Sequence, residues 1–138
     1  MVAILDQSQK GALVVFEFMK KARNNLNAAR LCLDNGFLNA SANRAYYAAF
    51  HAAVAILTHK GFRKNRIDHE WAQAQFNAKL IREKKVFPGK IKSYLSDMQA
   101  VRNIADYREI NVGKKAADRQ VGKAAEMVKL IGEEIDRK

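Results

Sequence analysis

Arg44, Tyr47 and His51 stand three and four residues apart, so a helix through them sets a guanidinium, a phenol and an imidazole on one face. Residues 39–59 around them are otherwise apolar on nearly every side, with eight alanines between Ala40 and Ala55. Burying a guanidinium without a partner is expensive, so Arg44 is expected either to pair with an acid or to border a wet cleft. The competing reading is a closed structural network in which Asn43 braces a helix end and His51 is a hydrogen-bonded core histidine. A second set, Arg102 and Asp106, has the spacing of an ion pair along one helix turn, and Tyr107 follows directly. A third is a basic stretch: residues 60–92 hold ten Lys and Arg against three acids, and carry +7 of the chain's net +11. Arg63, Lys64, Arg66, Arg82, Lys84 and Lys85 are its candidate phosphate-facing cations, although charge runs are also common on solvated helix faces.

Other chemistries lack their residues. The three histidines, His51, His59 and His69, show no paired ligand spacing, so no metal site is expected, and no cofactor. A single cysteine, Cys32, cannot build a disulfide framework or a Cys-rich zinc site. There is no glycine-rich phosphate loop. Charges interrupt every apolar run before it reaches membrane-spanning length. Residues 1–5 are apolar only briefly and lack a basic leader, so a cytoplasmic protein without a membrane partner is expected.

The elements that must position these side chains read as helices. With 138 residues, 49% of them hydrophobic, and one proline, the chain fits a single domain over residues 1–138 with a real core. Val15, Phe18, Ala22, Leu26, Ala29 and Leu33 form a stripe at helical spacing, ended by Asp34-Asn35-Gly36. Residues 2–14 could extend this helix, although Gly11 argues against it. The second helix covers residues 39–59. A third starts after Asp68, a good N-cap, and fades into residues 82–85. Pro88 suits the first turn of a fourth helix, which buries Ile91, Leu95, Met98, Val101 and Ala105. A fifth follows Gly113 and buries Ala117, Val121, Ala124, Val128, Ile131 and Ile135. The predicted fold class is all-α, an up-and-down bundle of about five helices. In the simplest such bundle the second and fourth helices run the same way, which would set Arg102 and His51 at similar heights.

The run SANRAYYAAFHAAVAIL (residues 41–57), His69 at the start of the next helix, and RNIADY (residues 102–107) together resemble the HEPN family. The nearest branch is that of the small stand-alone prokaryotic proteins of the UPF0332 kind, and the likeness spans roughly residues 15–135. It implies a helical bundle that commonly forms a homodimer. It also implies a family that includes toxin ribonucleases and the partners of minimal nucleotidyltransferases in toxin–antitoxin-like pairs. Ribonuclease members carry an Arg followed, after four to six residues, by a His late in the fourth helix. Arg102 fills the Arg place, but the three places open to the His hold Tyr107, Arg108 and Glu109. A phenol is a poor substitute as a base, being only about one part in a thousand ionised at pH 7. The resemblance therefore implies a module that binds RNA, a nucleotide or a partner protein in a cleft of Asn43, Arg44, Tyr47, Asp106 and Tyr107. The alternative is a metal-independent endoribonuclease in which Arg102 works with His51 or His69 as base.

Overall fold

The structure is a computed structural model that describes residues 4, 6–62 and 67–137. Five α-helices account for most of it: α1 (Gln7–Asp34), α2 (Leu38–His59), α3 (His69–Gln75), α4 (Tyr94–Tyr107) and α5 (Lys114–Asp136). No strand occurs among the described residues, and the all-α bundle expected from the helical periodicities is what forms.

Helix α1 begins earlier than its apolar stripe and runs straight through Gly11. The glycine is tolerated because a capping box secures the start. The Asp6 carboxylate accepts from the Gln9 amide at 2.8 Å, and the Gln9 side chain accepts from Asp6 N–H at 3.0 Å. Gly36, at φ +79°, makes the left-handed turn into α2. Helix α2 is the centre of the molecule and packs against α1, α4 and α5. Seven of its alanines between Ala42 and Ala55 are buried to 1% exposure or less, and their small side chains let three helices approach one. The cores of the other helices are the apolar stripes read from sequence, with Val101, Ala105 and Ile135 only partly buried at the margins.

Hydrogen bonds fix the direction of each helix. Ser41 donates to the Ala29 carbonyl at 2.8 Å, which sets α1 antiparallel to α2. Asn39 accepts from Val112 N–H at 2.9 Å, and Lys60 pairs with Glu134 at 2.9 Å, so α5 runs alongside α2 in the same direction. Asn43 meets Asp106 and Tyr47 meets Arg102, so α4 runs antiparallel to α2. This corrects the expectation that α2 and α4 are parallel. The reason lies in the link between α2 and α3. After α2 ends at His59, the chain re-enters the bundle at His69, beside Tyr46 and Phe50 in the middle of α2. Nine linking residues can span up to about 30 Å, enough to return along a helix rising about 1.5 Å per residue.

Asp68 caps α3 by accepting from Trp71 N–H at 2.7 Å, as its residue type suggested. The helix then widens into a π-helix, Phe76–Glu83, with Phe76, Leu80 and Ile81 inward. Sequence spacing could not separate this from an α-helix, because apolar residues four and five apart serve both. Pro88 does not open α4; it precedes a short 3₁₀ turn, Gly89–Ser93, which leads into α4.

Candidate functional site

The half of α2 nearer its N-terminus faces α4 and the first residue of α3, and there the predicted cleft residues meet. Arg102 is the hub. Its Nη2 donates to the Tyr47 hydroxyl at 2.9 Å, and its Nε lies 3.1 Å from Asp106 Oδ2, the ion pair expected from the spacing. The pair is half-screened from water, with side-chain exposures of 15% and 25%. It is not a well-aligned hydrogen bond, however: the buried Nε has no partner of proper geometry. Nη1 reaches only Asn103, at 3.5 Å. The guanidinium is thus held in place while N–H donors on Nη1 and Nη2 remain unspent. Aromatic rings surround it, with Tyr47, Tyr107 and Tyr46 centred 5.2, 5.7 and 6.0 Å from its carbon.

Arg44 meets no carboxylate among the described residues. Its Nε and Nη2 donate to Asn43 Oδ1, its Nη1 donates to Asn25 Oδ1 at 3.0 Å, and its carbon lies 5.4 Å from the Tyr47 ring centre. Asn43 in turn donates to Asp106 at 2.8 Å. One relay of amides therefore runs from Asp106 on α4 through Asn43 and Arg44 on α2 to Asn25 on α1. Both sequence readings of Arg44 contain part of this outcome: a network exists, but its acid is one bond removed. Two guanidiniums share the Tyr47 ring, and a single carboxylate stands between them.

The two histidines of interest lie on either side of this set. His51 Nδ1 is 3.3 Å from the Asn25 amide nitrogen. Burial drives its pKa down to about 4, and the positive charges of Lys21 and Arg44 add to the fall. His69 stacks on Phe50 at 4.4 Å and on Tyr46 at 5.5 Å, and its Nδ1 meets the Tyr46 hydroxyl at 2.5 Å. Burial and the nearby Arg102 charge lower its pKa, against a smaller opposite pull from Asp68. Burial also pushes the Tyr46 phenol up to about 12. At neutral pH the site thus sets two uncharged imidazoles and the uncharged Tyr46 phenol beside guanidinium charge.

This arrangement sits on a chain with known relatives. The model of the HEPN domain family matches residues 15–135, nearly the whole chain. The chain belongs to the HEPN domain family. A UPF0332 protein of Thermotoga maritima is 30% identical over 97 residues, covering 70% of this chain and 71% of the relative. A UPF0332 protein of Pyrococcus horikoshii is 47% identical over 47 residues, about a third of each chain.

In this HEPN domain the remaining candidates divide by place. Tyr107, at the end of α4, is 73% exposed beside Arg102. Lys84 and Lys85 lie apart from the groove, and Arg82 is exposed on the π-helix before them. Lys84 reaches over the ring of Phe62, past the end of α2, and Lys85 occupies a left-handed turn at φ +51°. Arg63, Lys64 and Arg66 fall outside the described residues. A hollow of about 540 Å³ between α1 and the final turns of α2 and α5, near His59 and Arg23, holds none of the candidates. Among the described residues no three acidic, histidine or cysteine side chains gather as a metal site. No described helix is long and apolar enough to cross a membrane.

Sequence reasoning missed Asn25 as a member of the site. Asn25 did carry a signal, a polar residue beside the buried stripe of Ala22, Leu26 and Ala29.

Proposed function

We propose that this HEPN domain binds a phosphate-bearing ligand, RNA or a nucleotide, in the groove between α2 and α4 without cutting it. One observation carries the reading: Arg44 and Arg102 share the Tyr47 ring, Asp106 is the one carboxylate paired with either among the described residues, and the Nη1 and Nη2 groups of Arg102 keep N–H donors unspent. Guanidinium forks match phosphate oxygens, and the surrounding rings limit competition from water. Tyr107, exposed beside the guanidinium, offers a face on which a base can stack. The basic residues Arg82, Lys84 and Lys85 would draw a polyanion to the molecule from outside the groove. The module would act with a minimal nucleotidyltransferase in a toxin–antitoxin-like pair, as a cytoplasmic homodimer. Exposed Leu31, Phe37 and Ile110 supply apolar surface for association.

A second reading, a metal-independent endoribonuclease, draws support from His69, an uncharged imidazole that shares the Tyr46 and Tyr47 rings with Arg102. Incubating the protein with transfer RNA and messenger RNA without metal, beside Arg102→Ala, separates the two. Intact RNA that is nevertheless bound supports the binding module. Cleavage that disappears in Arg102→Ala overturns it in favour of the nuclease.

A further inference from the structure

The hydrogen bonds around the two imidazoles determine which nitrogen of each carries the proton. Tyr46 is fully buried, and its only hydrogen-bond contact of good geometry among the described residues is Nδ1 of His69. A phenol has one proton to give, and a buried hydroxyl that fails to give it is costly. The acceptor within reach is the Nδ1 lone pair. Were His69 to donate from Nδ1 instead, the Tyr46 proton would be stranded in the core.

His51 is constrained by separate geometry. Arg44 can only donate, so the oxygen of the Asn25 side chain must face its Nη1, as it does at 3.0 Å. That orientation turns the Asn25 NH₂ toward both the Lys21 carbonyl, at 2.9 Å, and His51 Nδ1. An NH₂ group can only give, so Nδ1 of His51 must accept.

We infer that Tyr46 and Asn25 are positioning residues that hold His69 and His51 in the Nε2–H tautomer, making His69 a hydrogen-bond donor to the ligand and not a base. This rests on the phosphate-binding reading for the identity of the ligand, but the tautomers follow from the protein alone. His69 is half-buried, and its Nε2 makes no hydrogen bond among the described residues. An Nε2–H there extends the donor set of Arg44 and Arg102 and selects for ligands that accept, as phosphate oxygens do. A neutral imidazole in this form donates a hydrogen bond from Nε2 but cannot take a proton there. The groove is thus built for recognising an anion, and a base step in it would first have to break the Tyr46 contact.

The test is a long-range ¹H–¹⁵N correlation spectrum of the full chain at pH 7, which distinguishes bare from protonated ring nitrogens. The expected result is a bare Nδ1 and a protonated Nε2 for both His69 and His51. In Tyr46→Phe, His69 shifts toward the mixed pattern of a free imidazole while His51 is unchanged. A protonated Nδ1 on His69 in the unaltered protein overturns the inference, as does a His69 pattern that Tyr46→Phe leaves untouched. Titrating a short RNA into the same unaltered sample separates the two claims. The predicted tautomers with no RNA binding support this inference while removing RNA as the ligand of the proposed function. RNA binding with Nδ1 protonated on His69 does the reverse.

Discussion

Arg102 and Arg44 show how one ring can organise two like charges. Tyr47 accepts a hydrogen bond from one and lies close to both, while Asn43 ties Arg44 to the carboxylate that balances Arg102. Removing that tie strands Arg44 donors that pair with no carboxylate of their own among the described residues. Asn43→Ala is expected to lower unfolding free energy by about 1–2 kcal/mol, read by urea denaturation. The histidines give a second prediction at this scale. His51 faces Lys21 from α1, Arg44 on its own helix and His69 from α3, and its pKa falls from the ordinary 6.5 to about 4. The unfolded chain therefore binds more protons than the folded one between those values, so stability is complete above about pH 6.5 and is lost as pH falls toward 4. Melting temperature should drop on acidification through that window. His51→Gln should flatten the drop. An equal drop in the variant would assign it to other groups. The Arg102–Asp106 pair was legible from spacing alone, and so was the shared face of Arg44, Tyr47 and His51. Asn25 was not, because its importance comes from a contact between helices that no local pattern contains.

Helix α2 positions every other element. Its alanines set the distance to α1, α4 and α5, and its polar face supplies half of the groove. Enlarging one of them should push a neighbour away. Ala49→Leu at a fully buried position is expected to cost about 1–3 kcal/mol in a denaturant titration. A neutral result would mean that the helices are less closely packed than described. Most of the helices were readable because apolar periodicity and caps such as Asp68 act locally. The start of α1 at Gln7 was harder, since the Asp6–Gln9 capping box outweighs the local cost of Gly11. The direction of α4 was not readable at all. It depends on α3 starting beside the middle of α2 and not beside its C-terminal end, and the composition of residues 60–68 does not state that.

Charge is the property of the whole molecule that sequence described best and located least well. Ten of the 25 Lys and Arg residues fall in residues 60–92, yet the groove draws its guanidiniums from outside that stretch. Lys84 and Lys85 belong to the opposite end of α2 from Arg44. The two groups should therefore separate in a salt titration. Replacing Arg82, Lys84 and Lys85 together by Ala should reduce the slope of log affinity against log salt for RNA by up to about 2–3, while leaving binding measurable. A slope unaltered by the triple substitution would remove these residues from the interface.

The groove itself is tested most directly by calorimetric titration of a short RNA oligonucleotide into the protein, Arg102→Ala and Arg102→Lys, with circular dichroism to verify that each is folded. A charged hydrogen-bonded pair contributes roughly 1.5–3 kcal/mol, so Arg102→Ala should weaken binding by about ten- to a hundredfold. Arg102→Lys should recover little of it, because an ammonium lacks the planar fork. Equal affinity for all three folded proteins would contradict a phosphate site built around Arg102.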